Sequence, residues 1–344
     1  MRIASKMVDA YRASGLCISA HLDLTYRCPL QCVHCYLHGQ RNLEEMNTQQ
    51  VLGVMEQLRD LGVLYLTMSG GEVLLRPDFV PLLRQATEMR FAVDVKTSGW
   101  QASTAALVGI ADASPLQVSI SFYSDRPAEH DGVTRRTGSF DHALRTALFL
   151  QEEGVRVVAV FTPLAGHCEE PARVQAGLES SGIQLVSFNT LTDTRCDCQD
   201  VSDLWVGQDS LERLFDQAVR SSLEDYPKRP LDSAPCPIGV GDLYVGPDAN
   251  VYPCLRLPIL LGNALEQKVA EIWRDSEFLQ KMRTVRWGTM ERCSTCADQR
   301  FCPHCFGINY HDTKDPLVPS EEMCAQARAI RNVLLRRKAD KGDK

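Results

Sequence analysis

The chain has 344 residues, 44% of them hydrophobic and 24% charged, with a formal net charge of −7 and 14 cysteines. That length allows about two domains and a sizeable core; the acidic balance leaves no basic footprint for nucleic acid; and no apolar run approaches the roughly 20 residues of a membrane span. The opening residues mix charges through their apolar positions, so no secretory signal is read and a cytoplasmic location is expected. In a reducing compartment this many thiols points to metal ligands rather than disulfides.

After an N-terminal segment, 1–20, "HLDLTY" at 21–26 reads as a strand, and Cys28, Cys32 and Cys35 follow it at once. Five more β-type runs come at 63–71, 91–99, 116–124, 155–164 and 183–191. Segments of helical period separate them, at 47–62, 76–90 and 138–154, the last with Phe140, Leu144, Leu148 and Leu150 as its apolar stripe and Gly154 as its stop. Strands alternating with helices predict an α/β fold with a parallel sheet, a partial (β/α)6 barrel of the TIM type over 21–206. In such folds the chemistry gathers at the carboxyl ends of the strands. There stand the three cysteines, "GGE" at 70–72 and "TSG" at 97–99.

A helical stretch at 207–226 lies within a linker, 207–232, that ends in a Pro-rich boundary. The cysteine-rich region, 233–330, contains a predicted β-hairpin in "GDLYVGPDANVYPCLRLP" and a turn and helix at 261–283. The basic tail, 331–344, reads as a solvated helix face.

Three cysteines within eight residues ask for an explanation. A four-iron cluster is held by four thiolates as a rule, so three leave one iron open to a further ligand. Structural zinc is the competing reading, with His34 or His38 completing the set, and Cys293–Cys305 also has the form of a zinc knuckle.

The spacing Cys28-x3-Cys32-x2-Cys35 after a strand, with His34 before the last cysteine, resembles the cluster loop of the radical S-adenosylmethionine (SAM) enzymes. The resemblance implies that SAM chelates the fourth iron of a [4Fe–4S] cluster and is reductively cleaved to a 5′-deoxyadenosyl radical, while the protein orients the cofactor and excludes water. Gly70-Gly71-Glu72 resembles the family's "GGE" strand end, which implies backbone approach to the ligand at the glycines and a carboxylate, Glu72, for the methionine ammonium. Val73 stands where the family has proline. The same resemblance places His34, Ser98, Ser121 and Tyr123 among the SAM contacts, and offers Arg135 or Arg136, in "EHDGVTRRTGSF", to the SAM carboxylate.

The cysteines Cys236, Cys254, Cys293, Cys296, Cys302, Cys305 and Cys324 resemble the SPASM extension of that family, which implies two auxiliary [4Fe–4S] clusters. One would use Cys293, Cys296, Cys302 and Cys324, and the nearer one Cys236, Cys254 and Cys305. The chain departs from the pattern twice: "CPHC" has two residues where three are usual, which makes His304 a rival to Cys305, and Ala249 replaces a glycine. Cys196 or Cys198 would close the nearer cluster; otherwise its open iron would take a substrate thiolate or amide, or the pair are surface thiols. Cys17 and Cys168 read as inert thiols.

Many SPASM-type proteins modify ribosomally made peptides. The expected substrate is therefore a precursor peptide that gains a crosslink, a thioether or an oxidised side chain. Only about 20 residues precede the barrel, so a separate leader-peptide recognition protein is an expected partner, beside a flavodoxin- or ferredoxin-type reductant. A sulfatase-type formylglycine maturase and a tetrapyrrole side-chain enzyme are the alternatives within the class. An iron–sulfur electron-transfer or scaffold protein is the alternative outside it, and has no use for Glu72 or an open iron.

Overall fold

The computed structural model describes residues 14–37, 43–191, 201–219 and 222–342. Six strands, β1 (Ser19–Thr25), β2 (Tyr65–Gly70), β3 (Ala92–Thr97), β4 (Gln117–Phe122), β5 (Val157–Phe161) and β6 (Val186–Phe188), pair in parallel, each with the next in sequence. Helices α1 (Thr48–Asp60), α2 (Phe79–Glu88), α3 (Thr104–Ala113), α4 (Pro127–Thr134), α5 (Ser139–Glu152) and α6 (Pro171–Ser180) fill the crossovers. The result is the expected α/β partial barrel.

Local signals set the helix ends. Asn47 and Gln50 form a reciprocal capping box at the start of α1, and the Ser103 hydroxyl accepts from Ala106 N–H at the start of α3. On β1 the period of two sends Leu22 and Leu24 into the layer beneath the helices and His21 and Asp23 to the other face. That layer, with Leu66, Val93, Val118 and Phe122, is fully buried, and each such side chain contributes about 1.5–3 kcal/mol.

The buried face of α5 differs from the expected stripe. It is made by Phe140, Ala143, Ala147 and Leu150, with Leu144 and Leu148 only partly covered. Small residues are needed there because Gly99 crosses the helix: a Cβ on Gly99 would lie 3.1 Å from Ala143 Cα, and Thr146 donates its hydroxyl to Gly99 C=O at 3.0 Å.

The predicted hairpin forms from β7 (Asp242–Val245) and β8 (Asn250–Tyr252), with β9 (Gly262–Asn263) beside it. Its docking is the larger finding. Strand β7 runs parallel to β1, with Ser19 opposite Asp242 and Leu22 opposite Val245, so barrel and hairpin share one nine-stranded sheet in the order β6-β5-β4-β3-β2-β1-β7-β8-β9. The hairpin turn closes through Gly246 N–H to Asn250 C=O and sets Ala249 at φ 63, left-handed backbone at a cost of about 1 kcal/mol for a residue with a Cβ.

Three further stretches depart from expectation. The segment 207–226 is helical only over α7 (Gln208–Ala218), followed by a 3-10 turn at Leu223–Asp225. The segment 261–283 contains two helices, α8 (Val269–Asp275) and α9 (Glu277–Thr284), because the Ser276 hydroxyl caps the second. After α10 (Glu291–Ser294) and α11 (Phe306–Thr313), helix α12 (Glu321–Gly342) runs into the region read as a solvated tail. Its Val333 and Leu334 are buried, and Arg337 donates to Asp216 of α7 at 3.0 Å. Among the described residues no helix is long and apolar enough to cross a membrane.

Candidate active site

The loop after β1 is fixed from both sides. Glu45 accepts from the Thr25 hydroxyl at 2.6 Å and from Tyr26 N–H at 3.1 Å. Further along, Gln31 and Val33 N–H donate to Thr134 and Val133 C=O at the end of α4. Helix α4 is held in turn by Arg173 of α6, which pairs with Asp125 at 2.5 Å and Glu129 at 2.7 Å. The Ser124 hydroxyl, together with Arg173 and Arg126, draws the Glu129 carboxyl down to a pKa of about 2.

The glycine pair has a reason of its own. Gly71 N–H donates to Thr25 C=O at 2.7 Å and Glu72 N–H to Arg27 C=O at 2.9 Å, so the end of β2 presses against the cysteine loop. A Cβ would lie 2.1 Å from Thr25 O at Gly70, which sits at φ 137, and 2.4 Å from Arg27 O at Gly71. No side chain fits in that crossing.

At the carboxyl ends of the strands lies a cavity of about 250 Å³. Of the residues expected around SAM, Cys28, Cys32, His34, Cys35, Gly70, Gly71, Ser98, Ser121 and Tyr123 line it. Three others do not.

Glu72 is fully buried behind the wall, accepting from the Thr97 hydroxyl at 2.6 Å, Ser98 N–H at 2.9 Å, Leu74 N–H at 3.1 Å and the Ser98 hydroxyl. Those bonds occupy the carboxylate and hold the end of β3 in place, while burial raises its pKa against their pull. Arg135 ends α4 with a left-handed backbone and is exposed. Arg136 is exposed too, its guanidinium 5.0 Å from the Trp100 ring centroid.

The lining also includes His21, Tyr36, Ser69, Lys96, His130 and Thr134, which the motifs do not single out. Strand period was the available signal: His21 and Lys96 alternate with buried apolar residues. The His34 ring meets Tyr123 edge-on at 4.7 Å, burial lowers its pKa to about 4, and its Nδ1 is buried with no hydrogen-bond partner. Burial, then the neighbouring Cys32, pushes the Tyr123 phenol well above its ordinary pKa. An orphaned imidazole nitrogen beside three soft thiol donors fits an iron–sulfur cluster with a bound ligand.

The C-terminal cysteines separate into two groups. Cys236, Cys254 and Cys305 are electrostatic neighbours of one another, and Cys293, Cys296, Cys302 and Cys324 form the other group. The His304 ring is packed 5.1 Å from Trp287 and 4.9 Å from Phe306, and its Nε2 is buried with no hydrogen-bond partner. Burial first, then adjacent thiols, raises Cys254 to about 12 and Cys293 to about 11; Cys302 also reaches about 12, chiefly through burial. Such thiols keep their protons at neutral pH unless a metal displaces them.

Among the described residues no three His, Cys, Asp or Glu side chains converge on one point suited to a single metal ion. Cys17 is buried with its thiol raised by burial, and Cys168 is buried with Sγ 3.0 Å from Arg173 Nη2. His38, Cys196 and Cys198 lie outside the described residues.

Compared with known proteins, the chain matches the radical SAM superfamily over residues 22–173 and the iron–sulfur cluster-binding SPASM domain over 236–297. This chain is a radical SAM enzyme with a SPASM domain. A [4Fe–4S] cluster with SAM, and auxiliary iron–sulfur binding in the SPASM domain, come with that membership.

The chain is 28% identical to the PqqA peptide cyclase of Rhodopseudomonas palustris over 310 residues, covering 82% of this radical SAM chain and 80% of the relative. Its fold resembles Streptococcus suis SuiB bound to precursor peptide SuiA, at TM-score 0.73 and 15% identity over 93% of this chain and 80% of that one. It also resembles anSMEcpe with bound AdoMet and Cp18Cys peptide, at TM-score 0.72 and 13% identity over 94% and 99%.

Proposed function

We propose that this enzyme matures a ribosomally made precursor peptide, using the radical derived from SAM to oxidise or crosslink one of its side chains. When bound, the cluster and SAM supply a 5′-deoxyadenosyl radical. Cys28, Cys32 and Cys35 hold that cluster, the backbone of Gly70 and Gly71 faces the methionine end of SAM, and Ser98, Ser121 and Tyr123 line the rest of its site. Glu72 acts from behind, keeping Thr97 and Ser98 at the cavity mouth.

The SPASM cysteines hold two auxiliary clusters, on Cys293, Cys296, Cys302 and Cys324 and on Cys236, Cys254 and Cys305. The first closes its four-thiolate set; the second takes its fourth ligand from Cys196, Cys198 or the substrate. In this division residues 21–206 generate the radical and 233–330 handle the remaining electron. A separate protein presents the peptide leader, and a flavodoxin or ferredoxin supplies the reducing electron.

One observation carries the reading. Leu255, next in sequence to Cys254, lines the same cavity as Cys28, Cys32 and Cys35, which ties the chain segment of the second thiol group to the cavity wall. A substrate oxidised there has an electron exit in the cavity wall. The likeness to a peptide cyclase supports a peptide as that substrate.

The test combines iron analysis with peptide mass. Anaerobically reconstituted enzyme should contain about twelve irons and, given SAM, reductant and its precursor peptide, should return a peptide lighter by a hydrogen pair. Deoxyadenosine formed beside an unchanged peptide counts against peptide maturation, and about four irons per chain counts against the auxiliary clusters.

A further inference from the structure

Oxidising a C–H compound through a radical leaves a proton as well as an electron to remove, and a side chain in the cavity must take it. Three histidines line the cavity. His34 stands within the cysteine loop. His130 Nδ1 accepts from Tyr123 N–H at 3.2 Å, and its ring packs among Phe122, Tyr123 and Phe140. His21 is built differently.

His21 Nε2 lies 2.8 Å from Oδ1 of Asp23, a fully buried carboxylate two residues along the same strand. The other oxygen, Oδ2, accepts from Tyr244 OH of β7 at 2.7 Å and from Tyr36 OH at 3.4 Å. Since the Tyr244 proton goes to Asp23, Tyr26 OH, 2.6 Å away, donates to Tyr244. A carboxylate held this way accepts the Nε2 proton and fixes the tautomer, leaving Nδ1 basic.

The register completes the surroundings. Thr67 of β2 and Tyr244 of β7 flank His21, and the Tyr244 ring is 5.4 Å from the imidazole. Of the charged groups on β3, Lys96 lines the same cavity and pairs with Asp94 at 3.2 Å. From the cysteine loop the titratable groups at the cavity wall are Cys28, Cys32, His34, Cys35 and Tyr36.

We propose that His21 is the proton acceptor of the oxidation, with Asp23 and Tyr244 as its positioning residues. The inference rests on the reading given under the proposed function. Hydrogen-atom transfer from a substrate C–H to the deoxyadenosyl radical forms deoxyadenosine and a substrate radical. Formation of the new bond then releases one proton and one electron. His21 Nδ1 takes the proton, and an oxidised auxiliary iron–sulfur cluster, held by the SPASM cysteines, would accept the electron, so that the balance closes without another oxidant. The hairpin of the SPASM region thereby reaches into the chemistry, since Tyr244 belongs to it.

The experiment compares His21→Gln, Asp23→Asn and Tyr244→Phe with wild type, each first checked for full iron content and SAM binding. In His21→Gln the ratio of altered peptide to deoxyadenosine should fall by about 100-fold. An independent readout needs no turnover: ¹⁵N-histidine spectra of the resting holoenzyme, with the His21 signal assigned by its loss in His21→Gln, should show an Nε2–H tautomer that Asp23→Asn disturbs. The milder Tyr244→Phe should move the same signal less.

An unchanged product ratio in His21→Gln, or an Nδ1–H tautomer in wild type, overturns the proposal. A wild type that makes deoxyadenosine but leaves every peptide unaltered counts against the peptide reading, and the tautomer then decides the His21 arrangement by itself.

Discussion

The barrel and the cysteine-rich region hold their thiols by opposite means. In the barrel, strands β1 to β5 of five to seven residues and long helices build a packed core, and the three cysteines sit on a loop above it. In the C-terminal region the strands have four, three and two residues, and four cysteines, Cys293 buried and Cys236, Cys254 and Cys302 half-buried, have thiols whose pKa is raised by desolvation. The hairpin and its helices join the barrel's buried cluster through Leu243, Val251, Ile272 and Leu279, so it is the short segments that carry the later cysteines, not the whole region, that depend on metal for closure.

The largest test of this contrast is removal of the metal from each region in turn. Cys302→Ala should unfold its surroundings, because structural metal sites contribute on the order of 10 kcal/mol to folding. The triple Cys28/Cys32/Cys35→Ala variant should lose SAM cleavage yet keep its far-ultraviolet circular dichroism and most of its melting temperature. Equal loss of structure in both would break the comparison.

Next in size is Glu72→Ala. It strips the partner from Thr97, Ser98 and Leu74 at once, so stability should fall by about 3 kcal/mol in denaturant titration, with SAM affinity weakened through the displaced Ser98. A loss of SAM affinity at unchanged stability would instead put the carboxylate in contact with the ligand.

Acid should affect the barrel through the Arg173 network. Glu129 has its folded pKa lowered from 4.5 to about 2, so the folded state binds the proton less readily than the unfolded chain. The stability it contributes is full above about pH 4.5 and is lost as pH falls toward 2. Arg173→Ala should reduce the slope of that part of the stability profile without removing it, since the Ser124 hydroxyl and Arg126 remain on Glu129, as thermal melts across this range can show.

The smallest effect belongs to the hairpin. Ala249→Gly removes the Cβ from a left-handed position and should raise stability by about 1 kcal/mol, read as a higher melting temperature of the SPASM transition.

Local signals carried most of the fold into the sequence. The strand–helix alternation is a short-range pattern, and the cysteine spacings are legible because a rigid cluster demands them. What stayed hidden depends on distant partners. Nothing in "GDLYVG" announces that β7 will lie against β1, since the pairing is decided by which edge remains open. The Glu72 carboxylate reads as a ligand in sequence, and its hydrogen bonds to Thr97 and Ser98 come from the end of β3, which no local pattern announces. Arg135 and Arg136 look suited to a carboxylate in sequence; that both are exposed and absent from the cavity lining depends on how α4 ends. The polar residues of β1 were visible in "HLDLTY"; that Asp23 gathers His21, Tyr36 and Tyr244 was not.

The shared sheet also dictates an order of events during synthesis. Ser19 and its partner Gly241 are 222 residues apart. At ordinary elongation speeds the leading strand waits on the order of tens of seconds for the neighbour that will cover its flank. Until then a nascent chain with most of its helices in place presents the unpaired edge of β1, the kind that recruits another chain. A shortened protein ending before β7 should therefore precipitate for want of a strand, even where no iron site has been touched.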